Sequence, residues 1–226
     1  MDKLSHKEQS LWAKKANNNS LAWLPLVIHM RDSAEIARKL WNHWLSDGAK
    51  TVVYTGIKDI ERAERLFVFL AAIHDLGKAT PVFQSKKSMH SELDERIETR
   101  ILKVGLPINS VSFFSRASKT PHALATQLLL ENAGCDKSIS VIAGAHHGKP
   151  PGHHGLIDKN INAYSENFHL GREGKDAWAD VQQELIDYAL GLAEFSCVFP
   201  AGAGVSPVLF ELGQASCLQS TFAVGL

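Results

Sequence analysis

Cysteine is scarce in this chain: Cys135, Cys197 and Cys217 form an odd set with no CxxC spacing. That excludes a disulfide framework and a cysteine-based zinc site, and it fits reducing surroundings. Long apolar runs are missing too. The longest, Leu66 to Ile73, falls far short of the ~20 residues that span a bilayer. The first thirty residues are polar and Asn-rich ("KKANNNS"), without the apolar stretch of a secretory signal, so the expectation is a cytoplasmic protein with no membrane partner. Net charge is absent, with 24 Lys+Arg against 24 Asp+Glu. The chain as a whole therefore exerts no general attraction on nucleic acid, and any grip on phosphates must be local. No GxxxxGK[ST] phosphate loop occurs, which excludes a P-loop motor within these residues. Strand-like alternation is scarce, and no internal repeat is visible.

What is there is helical periodicity over 226 residues, 45% hydrophobic and 21% charged, enough for one sizeable core. The expected fold is all-α. A first helix is predicted from about Pro25 to Leu45, with Met30, Ala34, Ala37, Trp41 and Trp44 as its buried stripe. "SDGAKTVVYTGIKD", with Gly48 and Gly56 as breakers, reads as a connection. A second helix runs from about Asp59 to Asp75, with His74 continuing its buried face and Gly77 as a left-handed stop. "TPVFQ" starts a short helix at Pro81 after Thr80, and a further helix contains Ile97, Ile101 and Leu102. In "KTPHALATQLLLENAG", Thr120 is the expected cap and Gly134 the stop. "KSISVIAGAHHG" reads as a helix ending at Gly148, with His146 and His147 in its last turn. The last clear helix spans about Asp176 to Phe195.

The chain holds 11 histidines, and several sit at predicted helix ends. His29 lies in the first turns of one helix, His74 and Asp75 close another, His122 opens a third, and His146 and His147 close a fourth. Ends of bundled helices are where side chains from several elements converge. Imidazole is the commonest protein metal ligand, and one carboxylate can bridge two ions. Five imidazoles and one Asp leave a pair of divalent cations strongly positive, suited to a phosphodiester and to lowering the pKa of a bound water. An imidazole-rich donor set favours Mn, Ni, Co or Fe over Mg²⁺.

The order His29, His74-Asp75, His122, His146-His147 resembles the HD superfamily of metal-dependent phosphohydrolases. Within it, "HDLGKATPVFQ" (His74 to Gln84), "TPHA" (Thr120 to Ala123) and "AHHGKPPG" (Ala145 to Gly152) closely resemble the HD nuclease domain of the CRISPR type I nuclease-helicase. The resemblance covers about Leu24 to Gly152 well. It implies an HD-domain helical bundle that cuts single-stranded DNA in CRISPR antiviral defence, beside a helicase subunit or domain and a CRISPR effector complex. It puts His29, His74 and Asp75 on one metal. Asp75 also reaches a second metal held by His122, His146 and His147, and Lys78 lies close to the scissile phosphate. Catalysis would rest on Asp75 and Lys78, with up to two divalent transition metal ions per chain.

The same family pattern calls for a further metal-binding Asp on a later helix ("ADW…S"), and that motif is absent. Asp187 is the nearest candidate among Asp176, Asp180 and Asp187. The domain is expected to span 1–197. From Val198 to Leu226 only Glu211 is charged, which reads as an atypical tail, truncated, frame-altered or packed against a missing partner. Two other readings stand beside the nuclease: an HD phosphohydrolase acting on nucleotides or cyclic nucleotides, and a catalytically impaired HD module that binds a helicase or effector complex. His153 and His154 read as solvated loop residues. His6, His43, His90 and His169 lie in polar settings and receive no role, and the Trp41/Trp44 pair reads as core.

Overall fold

The computed structural model describes residues 5–16, 20–114, 116–150, 161–171 and 174–195. His153, His154 and the expected tail from Val198 lie outside them.

Ser5 caps α1 (His6–Ser10) in a capping box: its hydroxyl accepts from the Glu8 N–H, and the Glu8 carboxylate accepts from the Ser5 N–H. An antiparallel ribbon follows, β1 (Trp12–Lys15) and β2 (Trp23–Pro25), with Trp12 opposite Pro25, Lys15 opposite Trp23 and a register shift between Trp12 and Lys14. These strands are too short to display alternation, so the sequence does not announce them. The ribbon leads into α2 (Leu26–His43), whose Met30, Ala34, Ala37 and Trp41 are buried as the periodicity predicts. Trp44 is not core. The helix ends at His43, Trp44 departs from helical geometry, and its side chain is 83% exposed while Trp41 is 3% exposed.

The expected connection is a helix, α3 (Asp47–Ile57). Ser46 caps it by accepting from the Ala49 N–H, and Lys58 closes it in a left-handed conformation. Gly48 falls in the first turn, where backbone N–H groups have no intrahelical partner in any case, so it does not break the helix. α4 (Ile60–Ile73), capped by Asp59, is the centre of the bundle. Every residue from Leu66 to Ile73 is buried, because the segment is apolar on all sides and α2, α3, α8 and α10 surround it.

After a 3-10 turn at Leu76–Lys78 come α5 (Pro81–Gln84), α6 (Ser91–Lys103), α7 (His122–Asn132), α8 (Lys137–Gly144), α9 (Ser165–His169) and α10 (Lys175–Ala193). α7 is capped by the backbone of Pro121 rather than by Thr120, whose hydroxyl instead accepts from Asn167 Nδ2 at 2.7 Å. α8 stops four residues before Gly148. Consecutive tight turns follow, with the Ala145 N–H on the Ile142 carbonyl and the Gly148 N–H on the Ala145 carbonyl. Phe168 on α9 and Trp178 on α10 are both fully buried, and the Trp178 indole N–H donates to the Pro107 carbonyl at 2.8 Å. His169 is buried as well, although its sequence setting is polar: its Nε2 and Gln182 Oε1 are 3.0 Å apart. Among the described residues no helix is long and apolar enough to cross a membrane.

Candidate metal centre

An apolar helix surrounded by others must release its polar continuation inside the bundle. α4 does this: His74 and Asp75 emerge at its C-terminal end only 7% and 4% exposed. The rest of the constellation arrives from three other directions. His29 is on the first turn of α2, His122 is the first residue of α7, and His146 and His147 lie in the turns after α8. One ligand atom from each of His29, His74 and Asp75 falls within 4.8 Å of the others, and the same holds for His122, His146 and His147.

Asp75 stands between the two groups. Its Oδ2 is 2.8 Å from His29 Nε2, 3.3 Å from His74 Nε2 and 2.6 Å from Lys78 Nζ. Its Oδ1 is 3.3 Å from His122 Nε2 and 3.8 Å from His146 Nε2. His122 Nε2 in turn is 2.9 Å from His147 Nε2 and 3.3 Å from His146 Nε2. Burial acts to raise the Asp75 carboxyl, but the imidazoles of His122, His29 and His74 beside it outweigh burial and hold it well below the usual carboxylate range. Burial pushes His146 down to about 4 and lowers His147 too. Both imidazoles are therefore neutral at pH 7, the form that ligates metals.

The far side of two rings fixes their tautomer. His74 Nδ1–H donates to the Ala71 carbonyl and His146 Nδ1–H to the Ala143 carbonyl, both at 2.8 Å. Each ring therefore turns its Nε2 inward, the orientation that outer hydrogen bonds impose on metal-binding histidines. His74 Nε2 faces Asp75 Oδ2 and His146 Nε2 faces His122 Nε2, nitrogen and oxygen atoms placed where a shared cation would bind them. Ligand atoms around an ion at ~2.1 Å stand about 3.0–3.4 Å apart, close to the spacing of His122, His146 and His147. The donor set fits divalent transition metals.

The carbonyls of the turn that carries Asp75 each have a partner. His74 O accepts from the Thr126 hydroxyl, Gly77 O from Thr80, Lys78 O from Gln84 Nε2 and Ala79 O from Gln182 Nε2. Gly77 is not a left-handed stop, since it lies within the 3-10 turn. A Cβ there would lie 2.0 Å from the His122 carbonyl oxygen and 2.7 Å from Thr126 N, so glycine is required by the close approach of α7.

Comparison with known proteins fixes the family. The family model for the Cas3 HD domain matches residues 12–206, which include all six grouped residues and Lys78. The chain belongs to the Cas3 HD-domain family. Over 207 residues it is 35% identical to a CRISPR-associated nuclease/helicase Cas3 of Streptococcus thermophilus, covering 86% of this chain and 22% of that protein. A CRISPR-associated endonuclease/helicase Cas3 of Thermus thermophilus is 29% identical over 62% of this chain and 14% of its own length. The chain thus spans about a fifth or less of the curated Cas3 relatives it matches. Among solved structures, T. fusca Cas3 with AMPPNP aligns with TM-score 0.62 at 21% identity, over 96% of this chain and 22% of that one. The Thermus thermophilus Cas3 HD domain in the presence of Ni²⁺ aligns with TM-score 0.54 at 20% identity, over 97% and 76%. Likeness at these identities is one of fold, and it establishes the all-α HD bundle.

Within this Cas3 HD fold the structure brings together every site residue named from sequence. It leaves Asp176, Asp180 and Asp187 exposed on α10, with Asp187 accepting from Gln183 Nε2, and none joins either group. Sequence reasoning missed Thr126 and Gln182. For Thr126 a signal existed: a hydroxyl one turn after His122 inside the apolar run "HALATQLLL". Gln182 carried none, because its partners Ala79 and Phe168 lie on distant elements.

Proposed function

We propose that this chain is the metal-dependent nuclease part of a Cas3-type nuclease/helicase and hydrolyses phosphodiester bonds of single-stranded DNA in CRISPR defence. The metal ligands are His29, His74 and Asp75 for one ion and His122, His146 and His147 for another, with Asp75 shared. The observation that carries this is the split of one buried carboxylate, Oδ2 facing His29 and His74 and Oδ1 facing His122 and His146. When bound, divalent ions in such a centre supply Lewis acidity toward the phosphodiester and acidify an attacking water. The protein's own part is to hold five imidazoles and one ionised carboxylate in place. Lys78, in contact with Asp75 Oδ2, brings a further positive charge to where a phosphate would sit.

The curated relatives are nuclease/helicases several times longer than this chain, which supports a helicase and a CRISPR effector complex as its partners. The HD unit is assigned to 1–197, and a cytoplasmic location accompanies that reading. Incubation with labelled single-stranded DNA and Mn²⁺, Ni²⁺ or Co²⁺ tests the proposal, beside a panel of nucleotides and cyclic nucleotides. Metal-dependent cleavage of the DNA is expected. A folded sample that leaves the DNA intact with every metal, or that turns over only nucleotides, rejects it.

A further inference from the structure

Thr126 is fully buried on α7, one helical turn after His122. Its hydroxyl donates to the His74 carbonyl and accepts the Gly77 N–H, both at 2.9 Å. Those two backbone groups bracket Asp75. The other side-chain ties to this turn come from Thr80, from Gln84 on α5 and from Gln182 on α10, none of which shares an element with a grouped histidine. Thr126 alone among them sits on a helix that also presents a histidine of the other group. The missing Cβ of Gly77 lets the two backbones meet closely enough for a short hydroxyl to bridge them.

We propose that Thr126 is a positioning residue for the metal centre: its hydroxyl pins the backbone on both sides of Asp75 to the helix that begins at His122, so that one carboxylate serves both ligand groups. This rests on the metal-centre reading above. Asp75 Oδ1 and His122 Nε2 stand 3.3 Å apart, and such constellations tolerate displacements of only about 0.5 Å. Without the hydroxyl a buried N–H and a buried carbonyl lose their partner. The turn then relieves them by moving away from α7, which carries Asp75 away from His122.

Mn²⁺ titration with electron paramagnetic resonance on the full chain tests this, using the wild type, T126V, T126S and T126A. The wild type and T126S are expected to take up two ions and to show a spin-coupled Mn²⁺ pair. T126V keeps shape and loses the hydroxyl. It should bind the ion of His122, His146 and His147, which loses the Asp75 oxygen, at least tenfold less tightly and lose the coupled signal, with its far-UV circular dichroism unchanged. If T126V does not fold, T126A against T126S isolates the same oxygen, and the same split is expected. A folded T126V or T126A that keeps both affinities and the coupled signal, with only a lower melting temperature, overturns the inference and leaves the metal centre standing. A wild-type chain that takes up fewer than two ions overturns the two-ion reading and this inference with it.

Discussion

Asp75 is one carboxylate placed between two sets of donors, and its removal separates catalysis from folding. Replacing it by Ala deletes the only group shared by both sets, so cleavage should fall at least about a thousandfold while the helical circular dichroism persists. Near-normal turnover by Asp75→Ala would end the two-ion assignment. The two ions should also bind unequally. The His29, His74, Asp75 group offers three donors and shares Oδ2 with Lys78 Nζ at 2.6 Å, whereas among the described residues no Lys or Arg pairs with His122, His146 or His147. Isothermal titration with Mn²⁺ should resolve one tight and one weak site, and Lys78→Met should tighten the weak one while slowing cleavage. Two sites of equal affinity in the wild type would contradict this. Proton linkage follows from His146, whose burial brings it down to about 4. Unfolded, it titrates near 6.5, so between about 6.5 and 4 the unfolded chain binds the extra proton. The stability it confers is full above that window and lost through it on acidification, by roughly 3 kcal/mol at most. Asp75, held well below the usual range, stays ionised meanwhile. Urea midpoints of the metal-free chain at pH 7 and pH 4.5 check this, and equal midpoints would count against it.

At the scale of elements, the bundle depends on how closely α7 lies against the turn after α4. Gly77→Ala places a methyl 2.0 Å from the His122 carbonyl oxygen, backbone that cannot swing aside. The expected cost is about 3 kcal/mol or more, at the upper end of what overpacked cores show. A left-handed glycine would cost only about 1–2 kcal/mol, so a denaturation curve distinguishes the two reasons for the glycine. Sequence periodicity suggests the second reason, because a glycine after a helix is ordinarily a stop, and the approach of α7 depends on tertiary packing. The same limit explains the other departures. α2, α4 and α10 were legible because long apolar stripes at steps of three and four have one interpretation. α3 was not, because Gly56 is its only buried residue and its glycines resemble breakers. The meeting of His146 and His147 with His122 was legible although their helix ends earlier than the periodicity suggests, since the tight turns beyond Gly144 keep both rings facing His122.

At the scale of the whole molecule, the balance of charge constrains how DNA can be held. The sequence carries 24 cationic and 24 acidic side chains, so a broad positive field is not expected, and the grip on DNA in the proposed reading is centred on Asp75 and Lys78. Each phosphate neutralised on a single strand contributes about −0.7 to the slope of log K against log salt. A grip limited to one centre and its immediate surroundings engages about two or three phosphates, which gives a slope near −2. Binding of a fluorescent phosphorothioate oligonucleotide that resists cleavage, by the wild-type chain with Mn²⁺, should therefore be weak, with a slope no steeper than this. A slope of about −5 or beyond would require some seven phosphates in contact and would reveal a cationic track that the balanced composition conceals. In that case the chain could retain a strand by itself. With the shallow slope, cleavage by the isolated chain would be slow at low DNA concentration and would saturate only as DNA is raised, which is the behaviour expected of a nuclease whose strand is delivered by a helicase.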